Sequence, residues 1–418
     1  MMTQAFYSGI SGIKTHSLGI DAVSDNLANI NTVGYRGYDV EFKSLFENMQ
    51  NTTADSSVNS SVGVGSQLQT TTMMQSNGSL QLTDRSTDLA IDGDGWFGVQ
   101  RDGKPVYTRD GAFTFDANDD LVTVDGFHVL GTMGGNISGE TLTAVIDEIP
   151  LGNITTQEKL RFPKSLTYPA EPTSRASFFA NLGIDPELRT IGAAVVDPQG
   201  VKNHLRLAFE KDPVQIPPGS QWNVTATTQT LDGTTVYDTK TGRVEFDSAG
   251  GLISSTLSTI DNNGATVAMD LGSGFSGIVA INIPVVSGSS LADGTIGGDL
   301  MGYEISKNAE VIATFTNGMQ SSVGKIAIYH FQNNQGLERL SGTRFQESSN
   351  SGKAVFFKDA KGQNIIGANV SNFQLENSNY KIEVGLTELI ILQRAFDANS
   401  KSITTADEMM QKALNMDA

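Results

Sequence analysis

The sequence predicts a multi-domain α+β protein, with an α-helical coiled-coil stem made from both termini and two nested, mostly β domains between them. Three observations predict it. Apolar residues recur with a heptad period at both ends of the chain. In the middle the period changes to two, and short apolar runs alternate with turns rich in glycine and aspartate. At 418 residues the chain is also too long for one ordinary core and suits roughly two to four domains.

The first helix is expected over about residues 4–30, a stretch without proline. Phe6, Ile10, Ile13, Ser17, Ile20, Ser24 and Leu27 follow a 4-3-4-3 spacing, with the serines as small fillers. Such a helix would be ~40 Å long. Its glycines (Gly9, Gly12, Gly19) and few charges (Lys14, Asp21, Asp25) make it a poor stand-alone helix that needs partners. The last helix is expected over about 375–415. Ile382, Leu389, Phe396, Ile403 and Met410 fall every seven residues, and Gly385, Leu392, Asn399, Ala406 and Ala413 fill the positions between. Residues 1–50 with 371–418 are therefore expected as the stem, and its apolar stripe as an assembly interface: Phe6, Ile10, Ile13, Ile20, Leu27, Ile382, Leu389, Leu392, Phe396, Ile403 and Met410.

Residues 51–79, rich in Ser, Thr, Asn, Gln and Gly, read as an extended linker. An inner β domain is expected from 80–146 with 300–370. Its strand candidates are centred on Leu89, Phe97, Tyr107, Phe113, Val122 and Val129, with Asp-Gly turns at Asp102–Gly103 and Asp125–Gly126. An outer β domain is expected over 147–299. Trp96 and Trp222 sit in strand-like runs and are expected in cores.

Composition narrows function. Acidic residues outnumber basic ones, 46 to 28, for a net charge of −18, which argues against nucleic acid or an anionic membrane surface as partner. Cysteine is absent, so disulfides and thiolate chemistry are excluded. The longest interior apolar run, 278–286, is broken by Asn282 and Pro284 and falls far short of the ~18 residues of a membrane helix. The N-terminal stretch has neither the basic region nor the apolar run of a secretory signal, so export without a cleaved signal peptide is expected.

No catalytic, cofactor-binding or metal-binding residue is expected. His16, His128, His204 and His330 are scattered without paired spacing. Asp116, Asn118 and Asp120 fit the first positions of an EF-hand loop. Leu121 then stands where glycine is needed and Phe127 where glutamate is needed, so the loop fails and a hairpin turn explains the carboxylates. No nucleophile elbow, Walker loop or dinucleotide-binding fingerprint is read in the chain. An enzyme is not expected.

The residues at both ends resemble those of the bacterial flagellar rod, hook and hook-associated proteins. Asn26-LANINTVGY-Arg36 resembles the family's asparagine-rich turn closing the first helix, where Asn29, Asn31 and Thr32 can cap and Gly34 permits a positive φ. Residues 375–380 and 386–412 resemble the family's C-terminal segment. Residues 87–99, 107–131, 333–337 and 349–352 resemble its inner β domain. The matching motif positions are Asn26, Ala28, Asn29, Asn31, Thr32, Gly34, Tyr35, Leu375, Glu376, Ser378, Asn379, Gln393, Arg394, Ala395, Asn399 and Asp407. Residues 195–211, 246–254 and 302–320 resemble hook members of the family, and rod members resemble the chain without the 147–299 insertion. Three places depart from the usual pattern. Asn379-Tyr380-Lys381 stands for Asn-Val-Asp, Gly385 for an acidic or polar residue, and Phe315-Thr316 for Tyr-Ser.

The resemblance implies a structural subunit of the flagellar hook, outside the cell. It would self-assemble into a bendable helical tube, a universal joint that transmits torque from rod to filament and encloses an export channel. The implied partners are copies of itself, the rod, hook-cap and hook–filament junction proteins and the flagellar export apparatus, with no nucleic acid, membrane or cofactor. The terminal helices are expected to be disordered in the monomer and to fold on assembly, which keeps the subunit exportable. The alternatives are a distal rod or hook-paralogue axial protein, or an extracellular adhesive protein with an oligomerising stem.

Overall fold

A computed structural model of the chain describes residues 2–48, 61–185, 187–283 and 288–416. It shows a multi-domain α+β fold with helices at the ends and mostly β units between them. Helix α1 spans Met2–Ala28 and helix α2 spans Ile382–Met416. Strands β1 (Tyr38–Asn48) and β2 (Ser61–Met73) pair antiparallel in a long hairpin. Among the described residues no helix is long and apolar enough to cross a membrane.

The middle of the chain has two separate cores. The inner core is built on Trp96, Phe97, Tyr107, Phe113, Tyr329 and Phe345, from segments that precede and follow the outer unit. Here the period-two reading finds its strands, at Leu89–Asp92, Trp96–Arg101, Lys104–Thr108, Phe113–Phe115, Leu121–Thr123 and His128–Met133. Asp102 and Gly103 both take positive φ, as a tight two-residue hairpin requires. The outer core gathers Phe178, Leu205, Leu207, Phe209, Trp222, Val224, Phe246 and Ile260. It lies between a five-stranded antiparallel sheet and a six-stranded one. Burial alternates along Lys202–Lys211, as expected for a strand with one face in the core.

Four expectations are corrected. First, residues 147–168 belong to the inner unit, not the outer one. Leu151, Leu160, Phe162, Leu166 and Tyr168 lie in the inner core, and Thr167–Tyr168 pairs with Gly298–Ile305. The chain crosses into the outer unit only near the Glu171–Thr295 bridge. The short, turn-rich run after 147 shows little periodicity, which concealed where its few large apolar residues pack.

Second, part of the expected linker is structured. Residues 51–60 lie outside the described residues, but 61–73 form β2, whose threonines and valines suit a strand. Gly65, at φ +118°, lets β2 approach α1 so closely that a Cβ would meet Ser11 Oγ at 1.7 Å. Third, α2 starts at Ile382 rather than near 375. Gln374–Glu376 is a strand paired with Leu80–Leu82, and the Ser378 and Asn379 side chains bond turn backbone in place of a helix. Fourth, the glycine spacing of a dinucleotide fingerprint does occur, at Gly93, Gly95 and Gly98 and again at Gly272, Gly274 and Gly277. Both runs lie in turns and strands with no helix following, so neither forms a phosphate cradle.

Two separate cores predict two unfolding transitions. Trp222→Ala removes a fully buried side chain of the outer core and is expected to cost that unit about 3–5 kcal/mol. In calorimetry one transition should fall and the other stay in place. An equal fall of both would mean a single cooperative unit.

Candidate assembly site

The end helices run antiparallel. Gly9 lies against Ile403, Gly12 against Asn399, Gly19 against Leu392, and Leu27 against Gly385. Each of these contacts sets a glycine against a side chain of the opposite helix. A Cβ on Gly9 would sit 2.6 Å from Ile403 Cγ1, and one on Gly12 would sit 2.7 Å from the Asn399 amide. The buried stripe on α1 is Gly9, Gly12, Thr15, Gly19, Val23 and Asn26. It is displaced by about one residue, near 100° around the helix, from the expected stripe of large apolar residues.

The large residues are therefore left at the margin or outside. Ile10 is 54% exposed and Ile382 is 49% exposed. Phe6, Ile13, Ile20, Leu27, Leu389, Phe396, Ile403 and Met410 are half-buried, while Leu392 is buried against Gly19. Tyr7, Leu18, Leu386, Ile390, Ile391 and Met409 are also exposed. Of the expected stripe, Leu27, Leu392 and Ile403 meet glycines of the opposite helix and so take part in the seam, while the line of closest approach on α1 is the glycine stripe.

The hairpin is fastened to α1 by polar bonds. Thr15 Oγ1 donates to Ser66 O at 2.8 Å, and Ser66 N donates to Ser11 Oγ at 3.3 Å. The buried Asn26 amide pairs with the Tyr38 backbone in both directions, giving to Tyr38 O at 2.7 Å and accepting from Tyr38 N at 3.0 Å. Tyr35 donates its hydroxyl to Asn26 Oδ1 at 3.1 Å, and burial, followed by the Asp25 carboxylate, holds that phenol well above its usual range. Arg339 of the inner unit pairs with Asp25 at 2.8 Å and lies over the Tyr35 and Tyr38 rings.

Stem and inner unit meet at Glu376. Its carboxylate is 2% exposed and bridges two buried guanidinium groups, Arg36 Nη2 at 3.1 Å and Arg109 Nη1 at 3.1 Å. Gly78 N donates to Glu376 Oε1 at 2.9 Å, and Gly34 N donates to its main-chain carbonyl at 2.7 Å. Arg36 further reaches Ser76 O and Asn77 Oδ1, and Arg109 reaches Ile91 O and Gly93 O. Burial, and then the neighbouring Arg109, push the Arg36 guanidinium down to about 10, and burial lowers Arg109 as well. Gly34 needs its positive φ of +67°, since a Cβ would strike Asp110 N at 2.3 Å. Asn379 closes the joint by accepting from Gly37 N at 2.8 Å and donating to Met74 O and Ser76 O.

Of the motif residues, Asn26, Gly34, Tyr35, Glu376, Ser378 and Asn379 are buried and converge on this joint. Asn29 and Thr32 bond each other across the turn, and Leu375 pairs with Gln81. Ala28, Asn31, Gln393, Arg394 and Asp407 are exposed, Ala395 is half-buried, and Asn399 is half-buried under Gly12. Sequence reasoning missed Arg36, Arg109, Asp25 and Arg339 as joint residues. Arg36 and Arg109 each stand inside a recognised motif, which could have pointed to them. Nothing in the sequence pointed to Arg339.

Two departures from the family pattern explain each other. The Tyr380 ring covers Gly385, where a Cβ would meet Tyr380 Cε1 at 2.6 Å. Tyr380 then donates its hydroxyl to Glu388 Oε2 at 2.9 Å. A bulky ring at 380 requires a bare backbone at 385.

Two predictions follow from this joint. Glu376→Gln leaves buried guanidinium charge unpaired and is expected to destabilise the joint by about 3–5 kcal/mol. The readout is hydrogen exchange, with protection lost in 80–82 and 374–376 while the outer unit keeps its own. Gly385→Ala should destabilise the wild type yet, in the Tyr380→Val background, stabilise α2 by about 0.5–1 kcal/mol through helix propensity. The same sign in both backgrounds would refute the coupling.

Comparison with known proteins finds matches at both ends and in the inner unit. Residues 6–36 match the model described as "Flagella basal body rod protein". Residues 90–164 match "Flagellar hook protein FlgE/F/G D1 domain", and residues 374–416 match "Flagellar basal body rod FlgEFG protein C-terminal". The flagellar hook protein FlgE of Borreliella burgdorferi is 28% identical, with 99% of this chain and 100% of the relative aligned. The FlgE proteins of Treponema pallidum and Salmonella typhimurium are 27% and 25% identical, each over 99% of this chain and 100% of the relative. The crystal structure of Helicobacter pylori flagellar hook protein FlgE2 shares the fold with a TM-score of 0.54 at 15% identity, covering 71% of this chain and 100% of that one. Over nearly its whole length the chain is similar to the flagellar hook and rod proteins, the axial proteins of the flagellum.

Proposed function

We propose that this chain is a structural subunit of the bacterial flagellar hook. Copies of it assemble into a helical tube outside the cell that bends while it turns, carries torque from rod to filament and encloses the path of exported subunits. The observation that carries this reading is the apolar surface of the end helices. Ile10, Leu386, Ile390 and Ile391 stand in solvent on a protein whose net charge is −18. Large apolar side chains on an acidic protein mark a surface that other chains cover. The expected interface residues Phe6, Ile13, Ile20, Leu27, Leu389, Phe396, Ile403 and Met410 flank that surface.

In this reading the stem forms the tube's inner layer, the inner β unit its wall and the outer β unit its exterior. Its role is structural rather than catalytic, and rod, cap and junction proteins are its neighbours at either end. The outer unit, with a core of its own, favours a hook subunit over a rod subunit. The full-length relatives with hook in their names point the same way.

Electron microscopy at high protein concentration tests this. The full chain is expected to form tubes, and a truncation lacking 1–30 and 375–418 is expected to remain dispersed with its β units folded. Discrete small oligomers from the full chain, even after seeding with hook fragments, would overturn the reading in favour of an adhesive protein with an oligomerising stem.

A further inference from the structure

The inner unit holds a cluster of metal-ligating side chains that plays no part in the stem or its joint. Asp116, Asp120 and His128 place one ligand atom each within 4.8 Å of one another. Backbone geometry brings them together. Residues 116–120 form a tight turn in which Asp116 Oδ1 accepts from Asn118 N at 2.8 Å and from Asp120 N at 2.9 Å. That leaves the second Asp116 oxygen to point elsewhere. Asp120 enters the strand Leu121–Thr123, and residues two apart share a face, so Asp120 and Val122 lie on one side of it. Val122 pairs directly with His128 on the neighbouring strand, which sets the imidazole diagonally beside the Asp120 carboxylate.

Two further features point to a ligand. The Asp120 side chain is fully buried, yet its Oδ1 has no hydrogen-bond partner. His128 Nδ1 is likewise buried and unpartnered, 3.6 Å from Asp120 Oδ2. That separation is too long for a hydrogen bond. The oxygen at that distance is the one Lys159 holds, so it is open to an ion only once the ammonium leaves. A buried carboxylate oxygen and a buried imidazole nitrogen without partners are costly features of a fold. A cation held by both Asp120 oxygens beside His128 Nδ1 would satisfy both orphaned atoms.

We propose that Asp116, Asp120 and His128 form a binding site for a divalent transition-metal ion of the Zn2+ class. Imidazole with two carboxylates suits that class, whereas Ca2+ and Mg2+ favour all-oxygen shells. The EF-hand spacing test missed the site because its nitrogen ligand comes from the next strand, not from the loop. Lys159 is the built-in competitor. Its ammonium pairs with Asp120 Oδ2 at 2.6 Å, and its side chain is 56% exposed, free to swing out as the ion enters. The bound ion would staple the 116–120 turn to the hairpin that follows it.

Isothermal titration of the full chain with Zn2+ tests the site, with Ca2+ and Mg2+ as comparisons. One Zn2+ per chain is expected to bind, with a higher melting temperature for the inner unit and no comparable heat from Ca2+ or Mg2+. His128→Ala and Asp116→Asn should each weaken Zn2+ at least about tenfold, with unchanged circular dichroism in the absence of metal. Lys159→Gln should strengthen it several-fold, a gain that a misfolded variant cannot produce. No stoichiometric Zn2+ binding, or binding that His128→Ala leaves unchanged, would overturn the site. So would Ca2+ binding as tightly as Zn2+.

Discussion

The structure depends on one carboxylate. Glu376 is buried where the chain returns from its β units to the final helix, and it ties together three distant segments. Arg36 brings the turn after α1, Arg109 brings the inner sheet, and Gly78 N brings the segment leading out of the hairpin. A lone buried carboxylate would be costly, and so would either arginine alone. Together the charges compensate one another, and main-chain carbonyls and the Asn77 side chain take further guanidinium protons. Removing one partner strands the others, so the direction of the stem relative to the inner unit rests on a network that cannot be loosened a little at a time.

The second constraint is how close the end helices come. Glycine at 9, 12 and 19 and a bare backbone at 385 let Ile403, Asn399, Leu392 and Leu27 each lie directly on the backbone of the opposite helix. The bulky apolar residues are displaced outward as a result. A helix pair that buried its isoleucines internally would be more self-sufficient and would offer neighbours less. The same geometry accounts for the hairpin, where Gly65 and the Ser11, Thr15 and Ser66 bonds let β1 and β2 lie directly on α1.

Much of this was legible in the sequence, and the failures share a physical form. Strong local periodicity gave both helices and the inner strands, and the Asp-Gly turns fell where positive φ is needed. Residues 26–36 and 375–380 stood out before their purpose was visible. What escaped were properties of pairs distant in the chain. The heptad count found the large apolar stripe on α1 but not the small-residue stripe beside it, because glycine carries no hydrophobic signal. Residues 61–73 read as linker because threonine and glycine suit a loop as well as a strand, and only the presence of β1 decides between them. Arg109 and Arg339 carried no signal of their own, and only the fold buries one and lays the other across two tyrosines. Leu160 and Phe162 belong to the inner core although the run around them has no period to announce it.

The central claim is that the chain keeps its Glu376 joint fixed and reserves its uncovered helix faces for neighbouring copies. A helical reconstruction of the assembled polymer at side-chain resolution tests it most directly. The account predicts that Arg36 and Arg109 still bracket Glu376, that Gly9, Gly12 and Gly19 still face α2 of the same chain, and that Ile10, Ile390 and Ile391 are covered by other subunits. A polymer in which those isoleucines stay in solvent, or in which the glycine seam has opened to pair with a neighbour's helix, would contradict it.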